Sequence, residues 1–174
     1  QGNYVERDEL TVSIEAEIAV RRLHALCADA VWRKDGQAFA QCYSEDATWK
    51  IAGLTLQGHD AIGQALGELG AANERILMVF GSPILSINEG LLTGRTYAVE
   101  HVKRFDGTAA STIGVYYEKF AFVEGRCLFQ WRHFDFAYFG PPDLSATFFP
   151  DPERGPPPAF PAADAPTAGL QFSA

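Results

Sequence analysis

Residues 111–139, STIGVYYEKFAFVEGRCLFQWRHFDFAYF, decide the fold of this chain. Two runs rich in β-branched and aromatic residues, 111–123 and 126–139, flank the dipeptide Glu124-Gly125. A polar residue followed by glycine between two such runs predicts a β-hairpin. The stretch therefore predicts two long antiparallel strands joined by a tight turn.

The same pattern extends toward the N-terminus of the chain. Further strands are predicted at 75–87 and 91–105, with turns at Asn88-Glu89-Gly90 and Asp106-Gly107. Together with the hairpin they form a four-stranded antiparallel meander. Strands this long must twist and curl, and a curled sheet closed by helices encloses an apolar cavity.

Before residue 74 the spacing of apolar residues is helical. A long amphipathic helix is predicted at 10–34, a short one at 37–43 and a third at 60–70, with short strands at 47–51 and 54–56. Helices followed by a run of strands predict an α+β fold. We expect a cone-shaped, curved antiparallel sheet packed against three N-terminal helices, the architecture of a cystatin-like α+β barrel.

The chain has 174 residues and a mass of 19.0 kDa, which suits one domain with its own core. Nine of the ten prolines follow Gly140. We therefore predict a domain at 8–149 and a proline-rich extended tail at 150–174, because proline removes a backbone donor and fixes φ. Three apolar side chains in the tail are candidates for docking on the body or on a neighbouring subunit: Phe160, Leu170 and Phe172.

The net charge of -8 provides no basic field for phosphates, so we expect no nucleic-acid partner and no anionic membrane surface. No apolar run reaches the roughly 20 residues of a membrane span, and a soluble, cytoplasmic protein is expected. The three cysteines, Cys27, Cys42 and Cys127, have neither metal-ligand nor disulfide-framework spacing. We expect no metal and no cofactor.

Four strings carry a family resemblance: CADAVWRKDGQAFAQCYSEDATW at 27–49, GHDAIGQAL at 58–66, TGRTYAVEHVKRFDG at 93–107 and YYEKFAFVEGRCLFQWRHF at 116–134. Their content and order resemble the SnoaL-like branch of the nuclear-transport-factor-2-like superfamily over roughly residues 10–139. The resemblance implies the cone fold. It leaves function open, because the superfamily includes dehydratases, isomerases, cyclases, ring-hydroxylase small subunits and binding-only proteins.

Within this superfamily the chain resembles scytalone dehydratase, hexachlorocyclohexane dehydrochlorinase and the lyases that remove formaldehyde from diarylpropanes. The first two use an Asp and a His inside the cone. Alignment of the first helix places Trp32 at the Asp position, and alignment of the first long strand places Met78 at the His position. The Asp/His dyad is missing, so either other groups perform the chemistry or the protein only binds an apolar ligand.

Strand alternation assigns the faces of the strand at 91–105. The resemblance implies that Thr96 and Glu100 share the cavity side, with Gly94 and Ala98, whereas Tyr97 and His101 face outward, with Arg95, Val99 and Lys103. A one-residue bulge would exchange the two sets. Tyr97 is therefore kept as a second phenol in case the register is inverted.

The candidate catalytic residues are Tyr116, Arg132, Glu118 and His101. A Tyr116 phenol can donate a hydrogen bond in an apolar pocket without burying a charge. Arg132 either stabilises a phenolate or forms a structural ion pair with Glu118. Glu118 needs a raised pKa to act as a base, and the ion pair would lower its pKa instead. His101 has a suitable pKa, although it lies near a turn and is expected to be exposed.

Aromatic residues dominate the predicted lining of the cavity and indicate a flat, aromatic ligand. The candidate substrate-binding residues are Trp32, Trp49, Met78, Phe80, Thr96, Tyr97, Phe134 and Tyr138. His24 and His59 have no convergent partner in the sequence pattern and are expected at the surface.

These observations favour a cofactor-independent lyase that eliminates water, a one-carbon fragment or both from a hydroxylated aromatic molecule, with lignin-derived phenolic diaryl compounds as one candidate class. An isomerase or cyclase of a polycyclic ketone is the alternative enzyme. A ligand-binding protein or a small subunit of a ring hydroxylase is the non-catalytic alternative. The lyase hypothesis predicts a homo-dimer or homo-trimer.

Overall fold

The computed structural model describes residues 12–150, 155–157 and 159–167. Three helices and seven strands follow one another along the chain. Their bounds are α1 Ile14–Arg33, α2 Gly36–Ala40, β1 Tyr43–Ile51, β2 Leu54–Gln57, α3 His59–Ala72, β3 Asn73–Phe80, β4 Ile84–Asn88, β5 Leu91–Arg104, β6 Ala109–Val123 and β7 Arg126–Gly140. The α+β architecture with a curved, unclosed sheet confirms the predicted fold class.

The helices cover one side of the sheet. Ser13 caps α1 by accepting a hydrogen bond from the Ala16 backbone N–H at 3.1 Å, and Lys34 ends it in the left-handed conformation at φ 56°. Glycines at Gly36 of α2 and Gly63 of α3 let these helices cross closely, since a Cβ on either would collide with the other's backbone. This contact holds α3 over the sheet.

The sheet order is β2-β1-β7-β6-β5-β3, and β4 also pairs with β5. The prediction of a single strand at 75–87 is wrong. The segment forms two strands, β3 and β4, which are separated by Gly81-Ser82-Pro83. β4 pairs with the first part of β5 and β3 with its second part. Proline lacks the N–H that a continuous ladder would require at this point.

One strand pair departs from the predicted antiparallel arrangement. β1 runs parallel to β7, with Trp49 beside Arg132 in register. The pairing joins the N-terminal segment to the last strand, which hairpin signals alone cannot indicate. It brings Trp49 of β1 to the face of the sheet that encloses the cavity.

Two bulges in β7 decide which of its side chains face inward. The register with β6 shifts between Lys119 and Phe120 and again between Ile113 and Gly114, leaving one extra β7 residue at each point. Each extra residue reverses the alternation of faces. The second bulge therefore turns Tyr138 away from the cavity and brings Phe139 to its lining.

The described part of the C-terminal tail lies on the outer face of the sheet. Phe160 packs on Tyr117 and Trp131, with ring centroids 5.6 and 6.5 Å away. Lys50 Nζ donates to the backbone oxygens of Ala163 and Ala165 at 3.0 and 2.8 Å. The described part of the tail thus covers aromatic surface; Leu170 and Phe172 lie outside the described residues.

Phe160→Ala is expected to lower the free energy of unfolding by about 1–2 kcal/mol, because a half-buried phenyl ring loses its contacts with the sheet. Urea denaturation followed by tryptophan fluorescence measures this change. Phe105→Ala is the matched control, since its ring is 68% exposed and should change stability by only about 0.5 kcal/mol. Equal effects of the two substitutions would show that the tail contributes no packing energy.

Candidate active site

A cavity of about 370 Å³ lies between the inner face of the sheet and α3. Ligand sites in proteins commonly have volumes of about 300–1,000 Å³. The lining is mostly apolar and carries five aromatic side chains: Trp49, Tyr116, Phe134, Phe136 and Phe139. The other lining residues are Ile51, Ala52, Leu54, Leu56, Ala65, Leu66, Leu69, Asn73, Met78, Ala98, Glu100, Val102, Arg104, Ala110 and Thr112.

Glu100 is the one carboxylate among the described lining residues. β5 presents it on the same face as Ala98 and Val102, because alternate residues of a strand share a face. No hydrogen bond or ion pair holds its side chain within the described part of the chain. Burial raises the pKa of Glu100 from 4.5 to about 7. Such a carboxyl group can both take up and release a proton near neutral pH.

Tyr116 of β6 places a phenol group on the cavity wall. Its side chain is 2% exposed, and its ring lies 4.6 Å from that of Phe134. Burial raises the pKa of Tyr116, and the nearby Glu100 carboxylate raises it further. The phenol therefore stays protonated at neutral pH and is a hydrogen-bond donor toward the cavity.

Behind the cavity wall lies a buried polar group that we call the Glu118 cluster: Glu118, Arg132, His24, Thr96 and Tyr43. Glu118 Oε1 accepts from Arg132 Nε at 3.0 Å, and Oε2 accepts from the Thr96 hydroxyl at 2.8 Å. His24 Nε2 lies 3.0 Å from both carboxylate oxygens. Arg132 Nη1 also donates to the Tyr43 hydroxyl at 2.9 Å.

Charge pairing keeps Glu118 ionised despite its burial. Desolvation alone would raise the pKa of Glu118, but His24, Arg132 and the Thr96 hydroxyl together hold it below its ordinary value of 4.5. Glu118 is therefore a structural anion rather than a base near neutral pH. Its partner Arg132 lies with its guanidinium carbon 3.7 Å from the centre of the Tyr116 ring, a cation–π contact that orients this phenol.

Four of the residues singled out from the sequence do line the cavity: Tyr116, Trp49, Met78 and Phe134. Three others face solvent instead. Trp32 is 54% exposed at the end of α1, and Tyr97 is 49% exposed on the outer face of β5. His101 is also exposed on that face, where Nδ1 lies 2.6 Å from the Ser111 hydroxyl. The register of β5 is thus the one that directs Thr96 and Glu100 inward.

Five further candidates lie in the interior without lining the cavity. Glu118, Arg132 and Thr96 belong to the Glu118 cluster, as the ion-pair alternative for Arg132 anticipated. Phe80 packs on His24 and Tyr116 from the α1 side. Tyr138 donates its hydroxyl to the Pro141 carbonyl at 2.6 Å, because the β7 bulge directs it away from the cavity.

Sequence reasoning did not select two important residues. His24 was expected at the surface but is only 4% exposed; its spacing from Val20, Cys27 and Val31 places it on the buried stripe of α1, a signal that was available. Glu100 was placed on the cavity side but not considered as an acid or base. Its raised pKa depends on the absence of a partner, and single-sequence patterns do not reveal that.

No three His, Cys, Asp or Glu side chains among the described residues lie close enough together to hold a metal ion. No helix in the described part of the chain combines the length and apolar character that crossing a membrane requires.

A family model described as the SnoaL-like domain matches residues 12–133, which include the whole Glu118 cluster and most of the cavity lining. The chain belongs to the SnoaL-like domain family. This membership confirms the resemblance found in the sequence. No curated protein sequence matches the SnoaL-like chain significantly.

Solved structures share its fold. A protein of Novosphingobium aromaticivorans provisionally assigned as an aromatic ring hydroxylase is 21% identical with a TM-score of 0.70, over 75% of this chain and 95% of that one. A provisionally assigned scytalone dehydratase of the same organism is 14% identical with a TM-score of 0.66, over 71% and 85%. Hexachlorocyclohexane dehydrochlorinase LinA-type3 of Novosphingobium barchaimii is 16% identical with a TM-score of 0.64, over 78% and 94%. At these identities the similarity shows the fold alone.

Glu118→Gln is expected to lower the free energy of unfolding by about 3 kcal/mol, because it leaves Arg132 buried without its counter-ion. Glu45→Gln removes an exposed carboxylate and serves as the control, with a change of about 0.5 kcal/mol or less. Guanidinium denaturation measures both.

The same substitution predicts a change in pH dependence. A carboxyl group with a lowered pKa stabilises the fold above its unfolded pKa of about 4.5, and that contribution is lost as pH falls through the folded pKa. The wild type should therefore lose stability on acidification more steeply than Glu118→Gln. Parallel pH profiles would contradict the assignment of Glu118 as a buried anion.

Proposed function

We propose that this chain is a cofactor-independent lyase that eliminates water, or a one-carbon fragment, from a hydroxylated aromatic small molecule bound in the cavity. Glu100 acts as the general base and Tyr116 as the hydrogen-bond donor to the departing hydroxyl. The observation that carries the proposal is the unpartnered Glu100 carboxylate in an apolar cavity, with a pKa raised to about 7.

The elimination requires two groups on one substrate. Glu100 removes a proton from carbon, and the electron pair of that C–H bond forms the new double bond while the C–O bond on the neighbouring carbon breaks. The departing hydroxyl takes the phenolic proton of Tyr116 and leaves as water. The proton that Glu100 removed then returns to the Tyr116 oxygen, which restores both groups. General acid–base assistance of this kind contributes typically about 10²–10⁴ in rate.

The two groups act on neighbouring carbons of one substrate, so their side chains have to extend toward each other inside the cavity. Tyr116 is level with Thr96 in the register of β5 and β6, so Glu100 lies four residues farther along β5. At about 3.3 Å per residue, the two backbone positions are roughly 13 Å apart, and the side chains bridge part of that span. The Glu100 carboxylate raises the pKa of Tyr116, so the two groups interact electrostatically. The aromatic residues between and around them, Trp49, Phe134 and Phe136, offer faces for stacking.

The Glu118 cluster supports this chemistry indirectly. Arg132 contacts the ring of Tyr116 and does not line the cavity, so of its two predicted roles the ion pair with Glu118 is favoured and Arg132 acts as a positioning residue. Its positive charge opposes the rise in the pKa of Tyr116 that burial causes, which makes the phenol a better donor. A small aromatic substrate, a homo-oligomeric state and a cytoplasmic location stay predictions.

Glu100→Gln is expected to reduce turnover by about 10²–10⁴, because the amide cannot accept a proton from carbon. Turnover is measured by mass spectrometry on a panel of phenolic diols and diarylpropanes, without added metal or nucleotide. The wild-type rate should rise with pH through about 7 as Glu100 loses its proton. The residual rate of the variant should lack this dependence.

Glu89→Gln, in an exposed turn, is the matched control and should retain wild-type turnover. If Glu100→Gln still releases water or formaldehyde from a panel member at the wild-type rate, Glu100 is not the base. Binding without a change in mass would favour an isomerase or a ligand carrier. Absence of binding would favour a ring-hydroxylase small subunit.

Tyr116→Phe is expected to lower kcat by about 10²–10³ and to leave substrate affinity almost unchanged, since the phenol acts on the departing group. Tyr117→Phe removes the same hydroxyl from the outer face of β6 and should keep full activity. Steady-state kinetics of both folded variants decide the matter: equal kcat values for Tyr116→Phe and wild type would exclude Tyr116 as the donor.

A further inference from the structure

We infer that the substrate carries a carboxylate, and that Arg104 binds this group at the mouth of the cavity. The inference deepens the proposed function and rests on it for the reacting end of the molecule. Binding of the carboxylate depends only on Arg104 and its surroundings.

Arg104 stands at one end of a line of inward-facing residues. Ala98, Glu100, Val102 and Arg104 all line the cavity as alternate positions of β5, and Arg104 is the last residue of that strand. Its partner in the neighbouring strand is Asn73, the first residue of β3, which also lines the cavity. Arg104 therefore lies at the rim, with Glu100 deeper inside.

The exposure of the lining residues identifies the same end as the opening. Leu69, whose carbonyl accepts a hydrogen bond from the Asn73 side chain at 2.8 Å, is 38% exposed although it lines the cavity. Tyr116, at the other end, is 2% exposed. A ligand that enters past Leu69 passes an apolar rim whose cationic group is Arg104.

Arg104 is the only Lys, Arg or His side chain among the described residues of the lining. Its Nη1 donates to the Thr108 hydroxyl at 3.3 Å, and no carboxylate of the described residues lies within ion-pair distance of it. The nearby Asp106 is held instead by the Thr108 backbone N–H and hydroxyl, at 2.8 and 2.7 Å. A guanidinium has five N–H donors in a planar fork that matches a carboxylate, so most of its donors remain for a ligand.

The negative charge of the whole chain makes a cation at the cavity rim significant for ligand choice. At a net charge of -8 the protein repels anions at long range, so a neutral aromatic ligand would be the default for this cavity. A cation at the edge of an apolar cavity reverses that preference locally, where the lower dielectric strengthens ion pairing. Glu100 lies four residues from Arg104, about 13 Å along the strand, and the long arginine side chain shortens this span. The carboxylate and the reacting carbon are thus separated by about one aromatic ring.

The test uses two non-reactive probes of the same shape, 2-naphthoate and neutral 2-naphthamide, in calorimetric titrations of the full chain. The wild type should bind naphthoate at least about 10-fold more tightly than naphthamide. Arg104→Gln should abolish this preference by weakening naphthoate alone. Arg75→Gln removes an equal charge from the outer face of β3, beside the same rim, and should keep the preference.

An unchanged naphthoate preference in Arg104→Gln, or an equal loss in Arg75→Gln, would overturn the inference. Failure of the wild type to bind naphthoate below about 1 mM would also overturn it. Neither probe has a leaving group, so these results do not depend on turnover. Failure of the proposed elimination would instead appear as activity that survives Glu100→Gln.

Discussion

The ion pair between Glu118 and Arg132 is the constraint on which the interior of this protein depends. Both side chains are at most 1% exposed, and Nη2 of Arg132 lies 2.9 Å from Glu118 Oε1. Two charges so far from water need further hydrogen bonds, and His24, Thr96 and Tyr43 supply them. These partners come from α1, β5 and the first residue of β1, so the pair fixes how the helix layer sits on the sheet. The cavity is the space left beside this fixed arrangement.

Glu118 and Glu100 lie on the same face of the sheet, but their pKa values shift in opposite directions. Each is buried, and burial raises the pKa of a carboxyl group in both cases. Positive partners reverse the effect at Glu118, whereas Glu100 faces apolar residues and keeps the raised value. The difference arises from the neighbours and not from the strand positions. A carboxylate that is already neutralised stabilises the fold, and one that is not can exchange protons with a ligand.

The sequence predicted the parts of the fold that local periodicity encodes. Helical spacing marked α1, and alternation with turn residues marked β5, β6 and β7. The parallel β1–β7 pairing and the break at Gly81-Ser82-Pro83 were not predicted, because the first is a long-range contact and the second lies within a continuous apolar run. The same limit applies to the site: alternation placed Glu100 inward, but the bulges of β7 reversed the face expected for Tyr138. The sequence allowed two roles for Arg132, an ion pair with Glu118 or stabilisation of a phenolate. Only the three-dimensional contacts distinguish between them.

The absence of the Asp/His dyad from its aligned positions does not leave the interior without acid–base groups. Met78, at the aligned His position, faces Glu100 directly across the β3–β5 ladder, so the chain places a carboxylate on the neighbouring strand at the same depth in the cavity. An imidazole has an unperturbed pKa near neutrality, and a carboxyl group reaches that range only when burial raises its pKa. The apolar wall formed by Met78, Ala98 and Phe134 is therefore part of the acid–base machinery, because it removes water from Glu100. A polar substitution in this wall would alter the chemistry without touching a titratable group.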